Sequence, residues 1–330
     1  MSAAEPPAAA PASDSSTVEG GASQNGVGEN GPEGPTRCGY VTLVGAPNAG
    51  KSTLLNALVG QKVSIVSSKV QTTRMRVLGI RIAGATQILF VDTPGIFAPK
   101  RRLERAMVAA AWQGVGDADL IVLLVDASAP RHAETQRIID GLKQAGRRAI
   151  LALNKIDLVK PAKLLQLTSR LDAEGIFTDV FMISGLTGDG VGDLLDAVAA
   201  RLPEGPWLFP EDQVSDVPMR LLAAEITREK LFQQLHEELP YSIAVETEHW
   251  ETFDNGDLRI SQAIYVQRES QKAIVLGRGG RQIKAVGAAA RAELEAMTER
   301  RVHLVLYVKV KESWIDDPER YRDLGLDHRS

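Results

Sequence analysis

"GAPNAGKS", residues 45–52, follows the apolar run "GYVTLV" directly and leads straight into "TLLNALVG". The spacing is G-x-x-x-x-G-K-[ST], and its setting between an apolar strand and the first turn of a helix is what gives the pattern meaning. Glycines here let successive backbone N–H groups converge on phosphate oxygens, and a helix N-terminus adds partial positive charge. The loop is therefore a phosphate cradle made of Asn48, Ala49, Gly50, Lys51, Ser52 and Thr53. Lys51 would reach the β- and γ-phosphates, and the Ser52 hydroxyl would ligate Mg²⁺. Working outward, "TQILFVDTPG", "DLIVLLVDAS", "AILALNKIDL" and "TDVFMISG" read as apolar strands. "ETQRIIDGLKQAG" and "VGDLLDAVAARL" read as amphipathic helices. Such alternation implies an α/β domain with a mostly parallel sheet covered on both faces, its chemistry at the carboxyl ends of the strands.

The strand ends decide which nucleotide is bound. "DTPG" at 92–95 puts Asp92 near the metal and the Gly95 N–H near the γ-phosphate. "NKID" at 154–157 supplies a carboxylate, Asp157, that can accept hydrogen bonds from both N1–H and the 2-amino group of guanine. Adenine has neither donor at that edge. Asn154 and Lys155 are expected to fix the base edge and flank the ring. "SGL", Ser184, Gly185 and Leu186, ends the next strand and can offer a backbone N–H, that of Gly185, to guanine O6. Each motif alone is weak; four in this order, each closing a strand, specify a GTP site.

Bulk properties set the frame. At 330 residues, 44% hydrophobic and 24% charged, the chain has the composition of a soluble protein with room for two cores. Its longest strongly apolar run, "LIVLLV" at 120–125, is too short to span a bilayer. The single cysteine, Cys38, excludes a disulfide framework and a multi-cysteine zinc site, which fits a reducing, cytoplasmic setting. Residues 1–36 are rich in Ala, Pro, Gly and Ser and lack Lys and Arg, so they are expected to be a disordered tail rather than a leader. The G domain should run from 37 to 202. A proline-rich linker at 203–217 follows, then a second domain at 218–315 and a tail at 316–330.

Net charge is −4, yet residues 270–311 hold nine Lys/Arg against three Glu, a local +6. That asymmetry points to one face for an anionic partner. The segment contains "VLGRGGRQIKAVG", 275–287, which fails the dinucleotide pattern because Gln282 stands where the third glycine belongs. Around it, "MRLLAAEITREKLFQQL" reads as a helix, while "YSIAVETEHWE", "LRISQAIYVQR" and "VHLVLYVKV" read as strands.

With these motifs the chain resembles the translation-factor-like GTPases, and within them the Era family, from about residue 38 to the C-terminus. "QTTR" at 71–74 resembles that family's switch I, which implies Mg²⁺ held by Ser52, Asp92 and Thr73, with Thr72 the less favoured threonine. The order α–β–β–α–α–β with G-x-x-G between adjacent helices looks like a type II KH domain, a smaller α+β unit. The resemblance implies single-stranded RNA over Gly277, Arg278, Gly279 and Gly280. Arg281 and Lys284 would meet phosphates, and Ile283, with Ile274 and Val286, would form an apolar groove wall. The implied partners are GTP and GDP, the 3′ end of 16S rRNA and the small (30S) ribosomal subunit. A monomer is expected, with peripheral contact at the inner face of the cell membrane as a further role of the family. The tail "WIDDPERYRDLGL" is similar to the family's C-terminus.

Two departures matter. Ile96 follows "DTPG" where many small GTPases carry a water-orienting Gln, so no side-chain base is expected and intrinsic hydrolysis should be slow. "SGL" replaces the commoner "SA" plus a polar residue. Asn48, in the family's "PN" setting, implies a K⁺ site. A rival reading is a GTP-gated RNA-binding scaffold in which hydrolysis is not essential. One P-loop and a "DHRS" terminus without cysteine disfavour the tandem and tRNA-modifying GTPases of the same branch.

Overall fold

Side chains along β1 (Arg37–Gly45) alternate between two cores, and that alternation fixes the layers of the first domain. Val41 and Leu43 enter one apolar cluster with Leu54, Leu55 and Phe90. Val44 enters the other, with Leu123, Ile138 and Leu151. The structure is a computed structural model and describes residues 34–235, 239–312, 314 and 317–327. The expected disordered tail therefore lies outside the described residues up to position 33. Thr36 is held, its Oγ1 donating to the Gly205 carbonyl at 2.8 Å.

The remaining elements of this domain are α1 (Lys51–Val59), β2 (Val77–Ala83), β3 (Thr86–Asp92), α2 (Arg102–Asp117), β4 (Leu120–Asp126) and α3 (His132–Gln144), then β5 (Ala149–Asn154), α4 (Pro161–Asp172), β6 (Phe177–Met182) and α5 (Val191–Ala199). The sheet order is β2-β3-β1-β4-β5-β6. Only β2 runs antiparallel, so the expected mostly parallel sheet is what forms. The carboxyl ends of β1, β3, β5 and β6 carry the four motifs along one rim.

After residue 218 the chain builds α6 (Met219–Gln234), β7 (Ala244–Thr252), β8 (Leu258–Val266), α7 (Glu269–Leu276), α8 (Arg281–Thr298) and β9 (Val302–Val310). β7 and β8 pair antiparallel, β8 and β9 parallel. Helix α6 packs on this sheet through Leu222, Ala223 and Ile226, which meet Ile260, Ala290 and Leu294. This is the expected α–β–β–α–α–β unit.

The linker and the C-terminal tail both pack on the first domain. The linker has no helix or strand, but it is a strap rather than a free tether. Trp207 and Phe209 pack on Leu78, Leu89 and Val91, and the Leu208 and Phe209 N–H groups donate to Gln87 Oε1 at 2.8 and 3.0 Å. Ile80 donates to the Val214 carbonyl at 2.9 Å. Three prolines, Pro203, Pro206 and Pro210, shorten the helix options, but the aromatic side chains among them find an apolar face. The C-terminal tail is likewise structured over α9 (Pro318–Asp323), and Tyr321 and Leu326 bury against Ala106, Met107 and Ala110 of α2. No helix among the described residues is long and apolar enough to cross a membrane.

Candidate GTP site and RNA groove

The phosphate loop encloses about 230 Å³ of cavity, lined among others by Asn48, Gly50, Lys51, Ser52, Thr53 and Gly95. Left-handed backbone at Asn48 (φ 66°) and Gly50 (φ 96°) turns the loop onto α1. At Gly95 the backbone passes so close to the loop that a Cβ would lie 3.0 Å from Pro47 backbone atoms. Lys51 is buried and its Nζ donates to the Gly45 and Ala46 carbonyls at 3.3 and 3.2 Å. Burial lowers its pKa, opposed by the charge of Asp92. Ala49 is buried rather than on the cavity wall.

Beside the loop, three side chains from distant segments meet. Ser52 Oγ donates to Asp92 Oδ2 at 2.6 Å and lies 2.9 Å from Thr73 Oγ1, which is itself 3.3 Å from the same carboxylate oxygen. Thr72 points elsewhere, its hydroxyl donating to the Lys69 carbonyl at 2.8 Å. The preference for Thr73 over Thr72 thus has a geometric basis. Asp92 is fully buried, and its Oδ1 has no hydrogen-bond partner among the described residues. Burial raises its pKa against the opposing pull of Lys51 and the three hydroxyls. A hard, all-oxygen set around a buried carboxylate with a spare oxygen fits Mg²⁺. Ser64, whose Oγ donates to Asp92 Oδ2 at 3.1 Å, joins this cluster with no signal in the sequence.

The base end differs from expectation in two respects. Asn154 is 2% exposed and serves as a strut. Its Nδ2 donates to the Ala49 carbonyl at 2.8 Å, and its Oδ1 accepts from the Lys155 and Gly185 N–H groups, both at 2.9 Å. It joins three loops rather than lying along a base edge, because the glycine at 50 leaves room for it: a Cβ there would sit 2.3 Å from Asn154 Nδ2. The Gly185 N–H is consequently engaged already. Ser184 is buried, and the exposed Leu186 follows at the open rim. Asp157 is exposed, and among the described residues its carboxylate has no partner. Lys155 lies across the phosphate loop, its Nζ donating to the Asn48 carbonyl at 2.9 Å and pairing with Asp126 at 2.5 Å. Burial would raise Asp126, but the hydrogen bonds of Lys155 and Ser128 outweigh it and hold the carboxyl below its ordinary range. Ile96 is wholly buried beside Val44 and Ala111, so its side chain cannot touch a water at the phosphate.

Residues 62–74, the segment that ends in switch I, are bound to the second domain along their length. The Val66 N–H donates to Glu229 Oε1 at 2.7 Å, and Lys62 pairs with Glu229 at 2.7 Å and also with Glu293. Lys69 donates to the Phe232 and Leu235 carbonyls, and Arg228 donates to the Thr72 carbonyl. Arg74 reaches the Ile243 carbonyl at 2.7 Å. No sequence motif signals any of these contacts.

At the far side of the second domain, Gly277, Gly279 and Gly280 have φ of 70°, 62° and 74°. A Cβ at Gly277 would collide with Gln282 at 2.6 Å, whereas Gly279 and Gly280 face open space. Their backbone is therefore accessible at close range to a ribose–phosphate chain. Arg278, Arg281 and Lys284 are exposed around it, and Ile274 is 56% exposed. Ile283 is part-buried against the core. Val286 is fully buried in that core and is not a groove wall, since its turn of α8 faces the sheet.

Fold and site together define a P-loop GTPase joined to a KH domain. A family model described as 50S ribosome-binding GTPase matches residues 40–155, and one described as KH domain matches residues 238–315. The GTPase Era of Rhizobium meliloti (strain 1021) is 57% identical over 293 residues, 89% of this chain and 94% of that protein. That of Sinorhizobium medicae (strain WSM419) is 58% identical over the same shares. A crystal structure of Era in complex with MgGDPNP and nucleotides 1506–1542 of 16S ribosomal RNA aligns with a TM-score of 0.83 at 43% identity, covering 88% of this chain and 99% of that one. An Aquifex aeolicus Era variant bound to GDP and AlF₄⁻ aligns at 0.82 with 42% identity and the same coverage. This chain belongs to the Era family of GTPases, and its reaction is the hydrolysis of GTP to GDP and phosphate.

Asp157 tests the base assignment. Asp157→Asn should weaken GTP binding by about a hundredfold, since the guanine N1–H and 2-amino donors lose a charged acceptor, while xanthine nucleotides gain relative affinity. Competition of GTP and XTP against a fluorescent GDP checks this.

Proposed function

We propose that this chain acts in assembly of the small ribosomal subunit, its KH domain binding the 3′ end of 16S rRNA and GTP hydrolysis setting when that RNA is held. The observation that carries the reading is the direct hydrogen bonding of switch I to α6, through Val66 to Glu229 and Thr72 to Arg228. A segment that touches the γ-phosphate region at one end and the KH domain along its length can report nucleotide state to the RNA groove. The relative crystallised with nucleotides 1506–1542 of 16S rRNA supports the choice of RNA. On this reading the chain works in the cytoplasm.

The residues divide the work. Lys51 and the backbone N–H groups of 48–53 hold the phosphates, and Asp157 selects guanine while Asn154 keeps the three loops in register. Ser52, Thr73 and Asp92 hold Mg²⁺, which neutralises charge on the β- and γ-oxygens when bound. Ile96 is buried and cannot act as base, and attack depends on how well the ordered switch backbone positions water. That leaves room for K⁺. Asn48 donates through Nδ2 to the Ser68 carbonyl at 2.7 Å, so its amide and the switch I backbone meet beside the phosphate loop. Oxygens there suit a monovalent cation that would offset transition-state charge.

GTP turnover should rise several-fold with an RNA copying nucleotides 1506–1542. The rise should be lost in Arg278→Ala and Gly279→Asp, which leave the GTP site intact. Tight RNA binding with unchanged turnover would favour the scaffold reading; no binding would remove the KH assignment. Separately, turnover should be about tenfold faster in KCl than in NaCl and lose that difference in Asn48→Ala. Equal rates in the two salts would dismiss the cation.

A further inference from the structure

Residues 71–73 are held in three directions at once. The Thr73 hydroxyl joins Ser52 and Asp92, and the Thr72 carbonyl accepts from Arg228 of the KH domain. Gln71 turns the third way, its Nε2 donating to Glu104 Oε1 at 2.9 Å on the first turn of α2. The other Glu104 oxygen accepts the Lys100 and Arg101 N–H groups at 2.6 and 3.1 Å, closing the start of that helix. One carboxylate therefore anchors switch I and caps the helix that follows the Gly95 turn.

Three further features set this pair apart from an ordinary helix cap. Gln71 has φ 58°, a left-handed backbone that a non-glycine residue adopts only when its surroundings hold it there. It also lines the nucleotide cavity, two residues before Thr73. Glu104 is buried to 9% exposure. Burial would raise its pKa, but the Lys100, Arg101 and Gln71 hydrogen bonds outweigh that and hold the carboxyl below the ordinary range. It is an ionised acceptor at neutral pH and cannot exchange roles with Gln71.

We propose that Gln71 and Glu104 form a clasp between switch I and the start of α2, positioning Thr73 and the Gly95 backbone for GTP hydrolysis. Both are positioning residues. The side chains point at each other rather than at the phosphates, and they act through the segments they join. In a site whose Ile96 side chain is buried, the relative placement of switch I and the Gly95 turn is what orients water. The clasp fixes that placement without contacting the nucleotide. The inference rests on GTP hydrolysis alone and is independent of which RNA the KH domain holds.

Charge exchange tests it, using the full chain without RNA. In Gln71→Glu two carboxylates face each other, and kcat should fall about tenfold. GDP affinity should fall far less than kcat, because the Gln71 side chain points at Glu104 rather than at the phosphates, and any drop in melting temperature from the facing carboxylates should reverse in the double variant. Adding Glu104→Gln restores a donor opposite an acceptor, the carbonyl oxygen of the introduced amide still serving the two N–H groups. The double variant should therefore recover most of the lost kcat. A Q71E variant that hydrolyses GTP at the parental rate would overturn the clasp. So would a Q71E/E104Q double that stays as slow as the single variant, or a loss of GDP affinity in step with kcat.

Discussion

Everything distinctive about this molecule depends on the hydrogen bonds that tie switch I to α6. The Val66 N–H on Glu229 and the Thr72 carbonyl on Arg228 place a G-domain segment in the KH domain's own framework. Those partners are fixed by α6, which packs through Leu222, Ala223 and Ile226 into the KH core. At the other end Thr73 lies within reach of Ser52 and Asp92. A short stretch of chain is thus shared by a phosphate site and an RNA-binding fold. On the reading proposed here, a rearrangement of one is felt by the other through this stretch.

The chemistry of the contact suits a joint that opens. Lys62, Glu229, Lys230 and Glu293 form one network in which Glu229 is 2% exposed. Arg74 and Arg228 flank the Phe232 ring, their guanidinium carbons 5.7 and 5.0 Å from its centroid. Burial and the neighbouring Arg228 push Arg74 down to about 9. Burying charge in this way stabilises less than packing apolar side chains of the same size would. Its geometry is strict, however, and a displacement that breaks one member leaves the others uncompensated.

Much of the fold was legible in the sequence because each strand of the G domain is a continuous apolar run closed by a glycine or a motif residue. The G-x-x-G turn was legible for the same reason, its glycines being required by left-handed backbone. The antiparallel strand β2 and helices α2 and α4 were not anticipated. β2 contains Gly79, present because α1 passes so close that a Cβ would meet Val59 and Leu55 at 2.6 and 2.7 Å. Within the site, the residue types at each motif were readable, but their division of labour was not. Asn154 reads as a base contact from its motif, yet its burial makes it a strut. Ser64 and the strap of Trp207 and Phe209 depend on long-range packing that no local pattern encodes. Glu104 had a faint signal, a glutamate three residues after the Arg101 cap, at the spacing of a capping box.

The central claim is that nucleotide state reaches the RNA groove through the switch I–α6 contact. Coupling of this kind is reciprocal and measurable as a difference in RNA affinity between nucleotide states. The decisive measurement is the Kd for a 16S 3′-end RNA with a non-hydrolysable GTP analogue and with GDP, in the parent and in Arg228→Met. The parent should show a difference of about tenfold, and the variant, whose RNA groove is untouched, should bind equally in both states. A difference that survives intact in Arg228→Met, or that is missing from the parent, would contradict the account.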